Sequence, residues 1–148
     1  MKHAVSLLLL SATTLTAQTV AAPFDATYST IVLTAPGIVS YGGTAFLPTD
    51  PDTLLVAPWP STTIYAVPLL RDALGRIQSA GQATVAATGG GTDGGLAFGP
   101  TGVLFCTWFG PNRVSQILPG SAVTNRVDDL GSAHGGQRHP DDLVILVV

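Results

Sequence analysis

The stretch GGLAFGPTGVLFCTWFGPNRVSQILPGSAVTNRVDDL, residues 94–130, decides the fold. Its apolar runs are separated by Thr101-Gly102, by Gly110-Pro111-Asn112 and by Gly120-Ser121. Each separator has turn chemistry: Gly admits positive φ, Pro presets φ and lacks a backbone donor, and Asn bonds its own backbone. The runs LAFGP, VLFCTWF, RVSQILP and AVTNRVDDL are therefore expected to be four antiparallel strands of one sheet. VLFCTWF is apolar at successive rather than alternate positions, the pattern of a strand in a sheet packed between two neighbours.

Outward from this stretch the same spelling recurs. GGTAFLP at residues 42–48 matches GGLAFGP at residues 94–100, and a third glycine pair stands at Gly135-Gly136. Gly42 to Gly94 is 52 residues and Gly94 to Gly135 is 41, close to the roughly 40–50 residues of a four-stranded propeller blade. The earlier repeat follows the same strand order as TAFLP, TLLVAPW, TIYAVPLL and ATVAAT, with DALGRIQSAG as extra material before its fourth strand. TYSTIVLTAP reads as an outer strand ahead of the first pair, and PDDLVILVV as the second strand of a further blade. The expected architecture is all-β and β-propeller-like. It has four-stranded antiparallel blades, about two of them complete, repeats starting near 42, 94 and 135, and an N-terminal signal helix.

A closed propeller takes about 4 to 8 blades. The deficit leaves three readings: a truncated or frameshifted piece of a longer protein, copies that complete a ring, or an open sheet stack. GGQRHPDD, with Gln137, Arg138 and His139 in place of apolar inner-strand residues, favours the first. The apolar LVILVV that follows is an open strand edge without a gatekeeper charge, so self-association through it is expected.

Composition agrees with strands. Of 148 residues, 46% are hydrophobic and 10% charged, with 17 Gly and 11 Pro, and all nine acids are Asp, so helix-favouring charged residues are scarce. A formal charge of -3 with no basic cluster excludes a phosphate-binding footprint, and nucleic acid is not an expected partner. MKHAVSLLLLSATTLTAQTVAAPF reads as a secretory signal peptide: Lys2, an apolar stretch over residues 4–17, then small residues before cleavage after Ala21. Ser11, Thr13, Thr14 and Thr16 interrupt that stretch below the roughly 20 apolar residues of a membrane span. The expected product is secreted or periplasmic, residues 22–148, with no membrane span once the signal is removed. The single Cys106 cannot pair within the chain, and its setting in VLFCTWF reads as a small core residue rather than a nucleophile.

At GGLAFGPTGVLFCTWFGPNRVSQILPGS the chain resembles secreted bacterial six-bladed propellers of the NHL and gluconolactonase-like superfamily, over residues 24–130. The shared pattern is a glycine pair, a short inner strand, a Pro-Thr-Gly turn, a hydrophobic second strand and an Asn-Arg-Val third strand. The resemblance implies a propeller, and for some members a metal-dependent lactonase whose ion is held by a Glu with Asn and Asp. This chain has no Glu, so that ligand set does not carry over.

Candidate ligand-binding residues follow from where propeller turns open. The turns entering the inner strand and those joining second to third strands share one end of the channel, which collects Trp59, Asp93, Trp108, Asn112 and His134. Asp93 has the chemistry of a metal ligand or general base, Asn112 of a neutral oxygen ligand, and the two Trp faces suit a sugar ring. The competing readings are turn-stabilising Asp and Asn, a solvated loop His and rim packing by Trp. His134 and His139 lack a third ligand beyond Asp141 and Asp142. Gly89, Gly91 and Gly94 spell G-x-G-x-x-G, but Gly99 and Pro100 forbid the helix that a dinucleotide site requires. No G-x-S-x-G or H-E-x-x-H occurs. The leading expectation is an exported, non-catalytic β-propeller-like binding or interaction scaffold for a small molecule, glycan or protein, needing no cofactor and no metal. The alternative is a lactonase- or lyase-like enzyme with a divalent metal such as calcium held in the funnel near Asp93, Asn112 and His134.

Overall fold

The computed structural model of the chain describes residues 20–23, 28, 30–89, 94–108 and 112–130. The expected signal helix, Asp93, His134 and residues 131–148 lie outside these. Two compact units are distinguished, Met1–Val32 and Leu33–Val148; the described residues of the first carry no helix or strand. Among its described residues the second holds nine strands, all paired antiparallel: β1 (Gly43–Leu47), β2 (Asp50–Ala57), β3 (Thr63–Arg71), β4 (Ile77–Ala80), β5 (Thr84–Thr88), β6 (Leu96–Phe98), β7 (Leu104–Trp108), β8 (Arg113–Ile117) and β9 (Arg126–Asp129).

They form two sheets, one per sequence repeat. The first runs β1-β2-β3 with β4 and β5 both on the far edge of β3, and the second runs β6-β7-β8-β9. Registers match between the two. Thr44 pairs with Val56 and Leu96 with Cys106; Tyr65 pairs with Val56 and Ser115 with Cys106. Val56 and Cys106 are thus equivalent positions, as are Leu54 and Leu104, and Val67 and Ile117.

DALGRIQSAG, extra material in the sequence, follows β3 and supplies β4. The nine residues of β3 pair over Thr63–Ala66 with β5 and over Leu69–Arg71 with β4, so the outer strand of the first sheet is split in two. The β3-β4 turn is organised by Asp72, whose carboxylate accepts from the Leu74 and Arg76 amides, both at 2.9 Å, and from Arg76 Nε at 2.8 Å. The Arg76 amide and then its guanidinium hold the Asp72 carboxyl below the ordinary carboxylate range. A depressed pKa stabilises the folded turn above the unfolded value of about 3.9 and the contribution is lost as pH falls through the folded value. Protection of the Leu74 and Arg76 amides, measured relative to their intrinsic exchange rates, is therefore expected to fall below about pH 4, and Asp72→Asn to remove that dependence; a protection factor in the parent that does not change with pH would refute it.

The sheets stack face to face. Leu55, Ala57, Ile64 and Ala87 on the back of the first sheet share one buried cluster with Leu104, Cys106 and Ile117 on the front of the second. Equivalent residues point the same way in both sheets, so the front of the first sheet carries Val56 and Val67, which pack with Ala35 and Ile38. β2 is buried on both faces, as the unbroken apolar run requires.

Two joints hold the stack. At the inner edge a Cβ on Gly43 would run into the Gly94 carbonyl, so the glycine pairs of the two repeats lie directly against one another. The repeated spelling therefore has a packing cause: only a residue without a side chain lets these backbones approach. At the outer edge Thr88 N donates to Ala122 O at 2.9 Å and Thr124 N to Thr88 O at 3.1 Å.

One expected element is absent. Described residues of TYSTIVLTAP carry no strand. Pro36 has no N–H to offer a ladder, and the chain turns at Pro36–Gly37, where Gly37 has φ 91. Ala35 and Ile38 instead cover the front of the first sheet, with Ala83 N donating to Pro36 O at 3.0 Å.

Candidate functional site

The end of β2 with its turn into β3, the end of β7 and the start of β8 lie at the same end of their sheets as the glycine pairs. Gly94 N donates to Thr107 O at 3.0 Å, Gly95 N to Thr107 Oγ1 at 2.6 Å and Thr107 N to Gly95 O at 3.1 Å. Trp59 follows β2 at this end and is 56% exposed. Trp108 closes β7, and Asn112 precedes β8 with φ 53, the left-handed region that Asn tolerates. Its carbonyl accepts from Leu130 N at 3.1 Å.

Strand pairing brings partners to Trp108 that the sequence reading did not single out. Trp108 pairs with Arg113 and Cys106 with Ser115, so all four occupy one face. The indole Nε1 donates to the fully buried Ser115 Oγ at 2.7 Å. The Arg113 guanidinium lies 6.0 Å from the ring centroid, and its Nε is 3.4 Å from Asp129 Oδ2. A cation held over an indole contributes about 0.5–1 kcal/mol at an exposed site. Cross-strand alternation was the signal that pointed to Arg113 and Ser115 once the register was known. Trp108 is therefore tied into its own sheet, whereas the Trp59 ring is largely presented to solvent. Asp93 and His134 lie outside the described residues, among which no group of three or more His, Cys, Asp or Glu comes together.

The cavity between the sheets opens at the opposite end. A cleft of about 370 Å³ is lined by Leu47, Leu55, Ile64, Phe98, Leu104 and Ile117, with Pro48 and Pro119 from the turns. Among the described residues no charged side chain lines it. Its cause is local. Ile64 pairs with Ala87 and Tyr65 with Val85, so Ala86 is the extra residue of a β-bulge, and both alanines line the cleft together with Ala66. Three methyl groups stand where larger side chains would fill the gap between facing sheets about 10 Å apart. The cleft has no signature in the sequence, because small residues in a strand give no periodic signal of a void.

Cys106 sits in the wall between the sheets, fully buried, and loss of hydration pushes its thiol up to about 12. It stays protonated and has the environment of a packing residue, as expected from its neighbours. Comparison with protein-family models, with curated proteins and with solved structures finds no match for the chain.

Proposed function

We propose that this chain is an exported, non-catalytic binding scaffold of propeller-like blades, and that its ligand is a small uncharged apolar molecule held in the cleft between the two sheets. The blade reading is supported by the directional stack: the back of the five-stranded first repeat covers the front of the four-stranded second, with glycine against glycine at the inner edge. Export is supported by the signal-like N-terminus.

The observation that carries the ligand class is the cleft itself. Its volume of about 370 Å³ falls within the roughly 300–1,000 Å³ of small-molecule sites, which are mostly apolar with few polar groups. The side-chain hydroxyls available at its walls belong to Thr49 and Ser121, enough to orient a ligand but not to solvate a charge. The test is titration with the neutral fluorophore N-phenyl-1-naphthylamine. Saturable binding of one equivalent is expected, and Ala66→Phe, which fills the cleft from the first sheet, weakens it about tenfold, the loss of one well-packed apolar contact of about 1.4 kcal/mol. Non-saturable uptake, or equal affinity in the filled variant, would sink the assignment.

A further inference from the structure

The back of the second sheet is the counterpart of a face that the first sheet buries at Leu55, Ala57 and Ile64. On the first sheet Leu55, Ala57 and Ile64 are 5%, 0% and 1% exposed. Their equivalents on the second are Phe105, Thr107 and Val114, of which Phe105 and Val114 are only half-buried, as is the neighbouring Ala97. The outer part of this face is polar: Gln116 Nε2 donates to Asp128 Oδ2 at 2.7 Å and Arg126 Nε to Asp128 Oδ1 at 2.7 Å. What is left apolar is a strip along the inner strands β6 and β7 and the start of β8.

Gly95 marks the same strip. It is the equivalent of Gly43, whose Cβ position is filled by the Gly94 carbonyl, yet among the described residues a Cβ on Gly95 would meet only Thr107 Oγ1, at 3.8 Å. Something shaped like a third glycine pair fits that space. The chain supplies one at the right distance. Thr88 ends β5 six residues before Gly94, and Asp129 ends β9 six residues before Gly135. The bond from Leu130 N to Asn112 O delivers the chain to the end of the stack where β1 and β6 begin.

We infer that the back of the second sheet, Ala97, Phe105, Thr107 and Val114, is the docking face for this chain's own residues 135–148, with Gly135 against Gly95. This inference rests on the blade-stack reading above. Carrying the 41-residue offset forward places Ile145 and Val147 at the positions of Leu104 and Cys106, facing Phe105, and Leu146 at the position of Phe105, facing away. Gln137 and His139 stand where Leu96 and Phe98 stand, so the apolar contact comes from the second run, LVILVV, which is thereby buried within its own chain rather than left to pair with another.

The experiment compares melting midpoints of full-length variants. Gly95→Ala is expected to lower the midpoint by roughly 5 °C or more, as Gly43→Ala does, and Ile145→Asp to lower it far more than Leu146→Asp, with the protein monomeric by sedimentation throughout. Gly95→Ala with an unchanged or raised midpoint, or equal effects of the two aspartates, overturns the docking. A dimer with a concentration-dependent midpoint also overturns it and assigns the face to a second copy. If Gly43→Ala is also silent, the stack reading itself has failed; if Gly43→Ala destabilises and Gly95→Ala does not, the stack stands and only the third layer is lost.

Discussion

Gly43→Ala will destabilise the protein by about 2–3 kcal/mol, at the upper end of what overpacking costs, although a methyl group is the smallest possible addition. The added Cβ points at the Gly94 carbonyl, with the Gly94 and Gly95 carbonyl carbons each 3.0 Å away. No rotamer relieves it, because the obstructing atoms are backbone. The first sheet has to pull away from the second along the inner edge, thinning the cluster of Leu55, Ile64 and Leu104 that joins them. The expected sign is informative, since alanine in place of glycine ordinarily stabilises by about 0.4–1 kcal/mol through the unfolded state. Gly75→Ala serves as contrast: nothing stands within 4 Å of its Cβ, but its φ is 77. There the cost is the left-handed backbone alone, about 1–2 kcal/mol. Urea midpoints for the two variants separate collision from strain, and a neutral Gly43→Ala would mean the glycine pairs are not in contact.

How much of this was legible beforehand depended on the kind of signal. The strands around Leu104–Trp108 and Arg113–Ile117 were readable because turn residues bracket uniform apolar runs, and that combination has few other solutions. The glycine pairs announce a repeat without a local reason for it; the reason is a backbone-to-backbone contact between residues far apart in the chain. TYSTIVLTAP failed as a strand because its β-branched residues suit a strand only when a partner edge is offered, and β5 has already taken the edge of β3 that an outer strand would use. The expected site was placed by propeller analogy at the end carrying Trp59, Trp108 and Asn112. The cleft lies at the other end, made by a bulge at Ala86 and by Ala66, and neither a bulge nor a missing side chain leaves a periodic mark in sequence.

Cys106→Val will leave the protein about as stable at neutral pH but will abolish part of its alkaline unfolding. Position 106 is the equivalent of Val56, and both side chains are at most 1% exposed, so valine already has a precedent at this site in the first sheet. The extra methyl group is worth at most about 1 kcal/mol of overpacking or gain. The pH effect follows from the buried thiol. Its folded-state pKa is raised from 9.0 to about 12 by loss of hydration. A raised pKa leaves stability intact below the unfolded value and erodes it as pH climbs from there towards the folded value, because the unfolded chain releases a proton that the folded chain retains. The slope approaches about 1.4 kcal/mol per pH unit. Urea midpoints measured for the parent and for Cys106→Val from pH 8 to pH 10.5, roughly spanning the onset of thiol ionisation, should therefore diverge in favour of valine, while all other titrations cancel in the difference. Parallel curves would mean that the thiol is hydrated in the folded protein, and with it the joint between the two sheets.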